Sequence, residues 1–457
     1  MDRTPPTAFA FSSKARRTGS PPITYLMAEG VTNANLISLA AGLIDYDSLP
    51  VGRLAGIAAR LLSDDTAARA ALQYGTTEGL AELREAVLDR LERAEGRCRA
   101  ELGLTPRNVV ITSGSQQMLY LLTDALVDPG DIVIASAPSY FVYASVLHSI
   151  GAEVLTVPAD RGGMRTDALA DLLERIRRAG RLDRVKIIYV VSYFDNPTGV
   201  SIEPSRRPEL VELARRYSVD HRILVIEDAA YRELQYDGAP APSVKSFDPD
   251  NRFVALTMTF SKSFAAGMKT GFAFLPDELV GPVLDQKGTH DFGSANLLQH
   301  LLRDVLTSGE YDRHLAEVRG AYRRKRDVML AVLERELGGC PGVSWTRPEG
   351  GLYVWLTLPE DVDTGRGGEL FSRCLAAGVL YVPGEFCYAR SAGRVALPEL
   401  AAAPVPRNHL RLSFGVASAA AIEEGVRRLG ACIRSVLGPR AGPARAPHSM
   451  PGAAARG

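Results

Sequence analysis

The stretch TMTFSKSFAAGMK, residues 257–269, runs from a strand-like segment into a polar loop holding one lysine, Lys262, and then through small residues to a second cation, Lys269. A lysine at a strand end, partly desolvated and close to other cations, has its pKa lowered and can attack an aldehyde as a free amine. Taken alone, a Ser-Lys pair reads as a solvated loop. The segments that precede it change that reading.

Upstream, ILVIEDAAY (223–231) is an apolar strand ending in Glu227 and Asp228, with Tyr231 three residues beyond. A carboxylate at the carboxyl end of a parallel strand sits where α/β folds place their ligands. Asp228 there can pair with a protonated ring nitrogen, although a helix-capping aspartate is the plainer alternative. SYFDNPTG (192–199) follows another strand; Asn-Pro-Thr-Gly is good turn chemistry, and Asn196 can also donate its amide to a phenolate oxygen. VVITSGSQQ (109–117) passes from strand through a small polar loop into a helix, so free backbone N–H groups and the Ser115 hydroxyl meet at a helix N-terminus, the makings of a phosphate cradle. APSY (137–140) closes the next strand and offers the Tyr140 ring for stacking, or for the core.

Around these motifs, short β-branched runs alternate with longer amphipathic stretches, the signature of βαβ units and a largely parallel sheet. Seven strands are expected, at 109–112, 132–136, 153–157, 186–191, 223–227, 253–259 and 271–275, with helices such as 116–126 and 209–217 between them. From about Tyr311 a long charged helix, 311–337, leads to the alternating segments GGLYVWLTLP and LRLSF, a second and smaller α+β lobe. The expected division is an N-terminal arm, 1–45, partly disordered; a large domain, 46–310; a small domain, 311–437; and a disordered tail, 438–457. The first twenty and last twenty residues lack apolar periodicity and are rich in Pro, Arg and small residues, so both ends are expected to be disordered.

Composition narrows the class. A chain of 457 residues exceeds one compact core, and 46% apolar with 23% charged residues is ordinary for a soluble globular protein. Lys+Arg and Asp+Glu both number 53, so no global field draws nucleic acid or anionic lipid, and an anion site has to be built locally. Five scattered cysteines, without Cys-x-x-Cys spacing, suit reduced thiols in the cytoplasm rather than a metal or redox pair. No apolar run is long enough to span a membrane, and no secretory leader is visible.

Together and in this order the segments resemble fold-type I pyridoxal-phosphate (PLP) enzymes, the class I/II aminotransferase superfamily and its 2-aminoadipate aminotransferase-like branch. The resemblance covers roughly 37–429 and extends to LAAG (39–42), LQYGTTEG (72–79), EGGLYVW (349–355), VPGE (382–385) and HLRLSF (409–414). It implies a large, mostly parallel seven-stranded α/β/α domain with a smaller α+β domain. It also implies PLP bound to Lys262 as a Schiff base, with Lys262 later shuttling a proton. By the same resemblance Asp228 holds the pyridinium, Asn196 and Tyr231 bind the ring hydroxyl, and Tyr140 stacks on the ring. Ser115, Gln116, Ser261 and Lys269 take the phosphate, with Tyr74 from a neighbouring subunit of a homodimer whose active sites are shared. Arg411 clamps the substrate carboxylate, with Gly42 and Asn196 beside the substrate. No metal is implied.

Two positions depart from the family pattern: Lys269 stands where relatives usually carry arginine, and Asp195 where glutamine is common, adding a negative charge near the ring. Transamination of an amino acid and a 2-oxo acid is the leading expectation. The alternative is a specialised PLP enzyme of secondary metabolism, performing oxidative deamination, decarboxylation or γ-replacement with carbon–carbon bond formation on an amino acid. A ligand-sensing regulator is a remote third. It would need a DNA-binding segment, for which the residues before Leu36 show no two-helix pattern, and a basic face, which the neutral charge does not suggest.

Overall fold

Apolar runs bounded by turns become the strands of one large sheet in the computed structural model, which describes residues 9–19, 33, 35–389 and 404–438. In chain order the strands are β1 (Ile37–Ser38), β2 (Val109–Thr112), β3 (Ile132–Ala137), β4 (Glu153–Asp160), β5 (Gly163–Met164), β6 (Val185–Val191) and β7 (Leu224–Asp228). They continue with β8 (Val254–Thr259), β9 (Gly271–Phe274), β10 (Ser344–Trp345), β11 (Tyr353–Thr357), β12 (Val379–Leu380), β13 (Val382–Pro383) and β14 (His409–Ser413). The large sheet has the order β2-β9-β8-β7-β6-β3-β4-β5. All seven expected strands lie in it. The eighth, β5, is a two-residue hairpin partner of Ala159 and Asp160 at the sheet edge, too short to leave a hydrophobic pattern.

The pairing fixes where a ligand can sit. Strands β4, β3, β6, β7 and β8 run parallel to one another. Strand β9 is antiparallel to both β8 and β2, so β2 shares the direction of the parallel set. The carboxyl ends of β2, β3, β6, β7 and β8 therefore open on one edge, which gathers the segments 109–117, 137–140, 192–199, 223–231 and 257–269. Central strands are buried on both faces, which is why they read as largely apolar stretches rather than as alternating ones.

A second sheet, β10-β11-β14-β13, is antiparallel. The 28-residue helix Glu310–Leu337 and the helix Ala419–Leu437 pack together beside it. Strand β1 pairs with β12, so the chain just before Gly42 is held by the C-terminal part of the molecule. The first twenty residues require a correction: Ser13–Arg17 is a helix, capped by the Ser12 hydroxyl, where the sequence suggested disorder. Its order is tertiary in origin. Lys14 pairs with Asp124 at 3.0 Å, and Arg17 donates to the Ser149 and Ile150 carbonyls. The rest of the two ends expected to be disordered, residues 1–8, 20 and 439–457, lies outside the described residues.

Candidate active site

Nine of the residues singled out in the sequence line one cavity of about 170 Å³ at the carboxyl edge: Ser115, Gln116, Tyr140, Asn196, Asp228, Tyr231, Ser261, Lys262 and Lys269. Lys262 follows β8 and donates from Nζ to the Gly42 carbonyl at 2.8 Å, so the N-terminal segment closes over the lysine. Lys269 is exposed and holds a left-handed backbone, φ 47°, just before β9. Ser261 is oriented by Thr259, whose Oγ1 lies 2.9 Å from its hydroxyl.

Strand alternation decides between the two carboxylates that end β7. Glu227 faces away and is satisfied by the Ser192 hydroxyl (2.7 Å) and the backbone N–H groups of Val244 (3.0 Å) and Lys245 (2.8 Å). Asp228 faces the cavity. It accepts from the Tyr189 hydroxyl at 3.0 Å and the Ala230 N–H at 3.1 Å. Burial raises its pKa from the ordinary 3.8 to about 6, with the Glu227 charge adding to the effect. Neither of these hydrogen-bond donors is cationic, so a protonated ring nitrogen is the complement that Asp228 lacks.

The helix Ser115–Leu126 starts at Gly114, φ 79°, and its first N–H groups have no intrahelical acceptor. Gly271 lets β9 approach this loop: a Cβ there would lie 2.5 Å from the Ser115 nitrogen. Gln116 Oε1 is buried without a hydrogen-bond partner. A helix start with free N–H groups, the Ser261 hydroxyl and the Lys269 ammonium thus converge as donors fit for a phosphate.

Arg411, on β14, does not line the cavity but is tied to its wall. It is buried, donates from Nη1 to Asn196 Oδ1 at 2.7 Å and from Nη2 to the Ala40 carbonyl at 2.6 Å, and stacks on the Tyr353 ring at 4.3 Å. Its Nε is buried and unpartnered. Because guanidinium only donates, Asn196 must turn its oxygen to Arg411, which leaves its amide N–H₂ for an acceptor elsewhere. The Tyr231 hydroxyl meets the Tyr353 hydroxyl at 3.1 Å. Burial raises the Tyr140 and Tyr231 pKa values, keeping both phenols protonated at neutral pH.

Three further observations modify the sequence reading. Tyr74 is not brought to this chain's own cavity; it is 84% exposed and packs edge-on against Phe292. Asp195 turns out to be buried, accepting from Thr198 Oγ1 at 2.9 Å, and burial lifts its pKa to about 7, well above the usual carboxylate range. Tyr189, Tyr353 and Thr259 were not singled out. A tyrosine inside the otherwise aliphatic run Ile187–Val191 of β6 was the available signal for Tyr189, because a buried phenol needs a partner.

A stability test follows for protein stripped of cofactor. The folded-state pKa of Asp228 lies above its unfolded value, so its contribution is fully present below about pH 4 and is lost as pH rises through about 6. Apoprotein stability should fall by about 3 kcal/mol across that window, and Asp228→Asn should flatten the fall. Urea titrations at several pH values measure it; an equal slope in the variant would contradict the assignment.

A lysine, a buried carboxylate, a tyrosine and the free N–H groups of a helix start share one cavity at the carboxyl edge of this sheet, an arrangement suited to PLP on a fold-type I scaffold. Comparison with known proteins agrees. The family model described as aminotransferase class I and II matches residues 34–407. Aromatic-amino-acid aminotransferase 1 of Thermococcus litoralis is 32% identical, over 93% of this chain and 94% of the relative. The 2-aminoadipate transaminase of Thermus thermophilus is 33% identical, over 88% and 91%. The crystal structure of a multiple substrate aminotransferase from Thermococcus profundus superposes with a TM-score of 0.81 at 35% identity, covering 93% of this chain and 97% of that one. The chain belongs to the class I and II aminotransferase family and is a PLP-dependent aminotransferase.

Proposed function

We propose that this chain moves the amino group of an amino acid to a 2-oxo acid with PLP held covalently by Lys262. The observation that carries this is the convergence of Lys262, Asp228 and the Ser115 helix start on one cavity, with Arg411 tied to its wall through Asn196. Bound PLP supplies the electron-withdrawing ring that lets the substrate Cα lose a proton. Asp228 keeps the ring nitrogen protonated, Asn196 and Tyr231 hold the ring hydroxyl, and Tyr140 packs on the ring face. Lys262 Nζ, once released, carries the proton at the substrate carbon. Arg411 takes the substrate carboxylate through Nε and an Nη group, beside Gly42.

The test is a half-reaction. An accepted amino acid added without a 2-oxo acid should convert the cofactor to pyridoxamine phosphate once per site and stop, and a 2-oxo acid should restart turnover. Sustained ammonia release or oxygen uptake with the amino acid alone would instead mark a specialised PLP reaction.

Lys269 is assigned to the phosphate. Losing one charge-assisted contact costs about 1.5–3 kcal/mol, so Lys269→Ala should weaken cofactor retention roughly 10- to 100-fold, and Lys269→Arg should retain it. Equilibrium dialysis distinguishes these outcomes.

The assembly is read as a homodimer with shared sites, supported by the exposed Tyr74 and Phe292 and by Leu72, 67% exposed beside them. Tyr74 then serves the partner's cofactor phosphate. Residues 46–310 and 311–437 are read as the two domains. The five free thiols suit the cytoplasm, and the equal numbers of cationic and anionic side chains suggest no nucleic-acid partner. Among the described residues no helix is long and apolar enough to cross a membrane.

A further inference from the structure

A second cavity, of about 380 Å³, shares no lining residue with the active site. It lies between the helix Ala81–Glu95, the start of the helix Glu310–Leu337 and the segment just after Tyr231. Its walls divide by chemistry. Val87, Leu91, Pro240, Met258 and Phe272 are apolar, whereas Arg90, Arg93, Arg232 and Arg319 supply four guanidinium groups. Glu233 and Asp312 also line it, and Glu95 lies behind Arg232, so cations exceed carboxylates.

The arginines are not all satisfied. Arg90 is committed, bonding Glu233 and Asp312 at 2.6 Å each. Arg232 has a side chain only 9% exposed and pairs with Glu95 at 2.6 Å through Nη2, while its Nη1 is buried without a partner. Arg319 spends Nε on the Glu233 carbonyl at 2.6 Å. A buried, unpaired guanidinium nitrogen beside an apolar floor is complementary to a carboxylate on an apolar body, and the volume suits a small ligand.

We infer that this cavity is an effector site for a small organic carboxylate with an apolar body, bound by Arg232, Arg319 and Arg93. Its route to the active site is short. Arg90 and the Tyr311 hydroxyl both bond the Glu233 carboxylate, Arg90 stacks on Tyr311 at 4.4 Å, and the Tyr311 hydroxyl lies 2.6 Å from that of Ser263, the residue after Lys262. An occupant that draws Arg319 from the Glu233 backbone perturbs the anchor of the lysine loop.

Isothermal titration of the holoenzyme with benzoate and with hexanoate tests this. Binding should saturate, survive Arg411→Gln, and weaken at least tenfold in Arg319→Gln; Arg93→Gln, on an exposed rim, should weaken it less and folds without disturbing a buried pair. Saturation should also change kcat in wild type. Binding lost in Arg411→Gln but kept in Arg319→Gln would place the ligand in the active site and overturn the inference, as would the absence of saturable binding. Binding with unchanged kcat would overturn the effector role.

Discussion

Lys262→Ala should lower transamination kcat by about four orders of magnitude while leaving the fold and non-covalent cofactor binding in place. A positioned acid–base group contributes roughly 10²–10⁴, and Lys262 is assigned both the covalent attachment and the proton transfer, so the upper end applies. Of the residues lining the cavity, only Lys262 and Lys269 carry amines. Lys269 is exposed and strained at φ 47°, whereas Lys262 is held by the Gly42 carbonyl at 2.8 Å. The variant keeps Asp228, the Ser115 loop and Lys269, so PLP should still bind. Single-turnover kinetics with added PLP measure the loss; a variant retaining a tenth of wild-type kcat would remove Lys262 from the chemistry.

Arg411→Ala should lower kcat/KM by roughly 10²–10³, with KM taking much of the change. Removing one partner of a buried charge pair costs about 2–5 kcal/mol, since the substrate carboxylate would be left desolvated and unpaired. Asn196 is also released, because Arg411 Nη1 holds its oxygen at 2.7 Å. Arg411→Lys should recover part of the activity but not all, as an ammonium cannot replace the planar fork. An amine substrate without a carboxylate separates the two contributions: its poor turnover should be little altered by Arg411→Ala. A KM unchanged for amino acids would contradict the clamp.

The large sheet was legible because both faces of its central strands are covered, so β6 and β7 read as largely apolar stretches that no surface helix would tolerate. The edge strand β5 was not, since two residues carry no period. The helix Ser13–Arg17 was hidden for a different reason: five residues with Lys and Arg form no amphipathic face, and their order rests on Asp124 and on carbonyls more than a hundred positions away. In the site, residues on loops after strands were visible because Ser115, Tyr140, Asn196, Asp228 and Lys262 each close an apolar strand, at the sheet end where α/β folds place ligands. Tyr353 lay inside a quoted motif, yet its place under Arg411 depends on the β11–β14 register, in which Trp355 stands opposite Arg411. The raised pKa of Asp195 was not legible in the sequence because burial, which sets it, is a tertiary property.

The central claim is that Lys262 carries the cofactor. Borohydride reduction of the holoprotein, followed by proteolysis and mass mapping, should place the phosphopyridoxyl group on the peptide containing Lys262 at one per chain. Its recovery on Lys269 or on any other lysine would contradict the account.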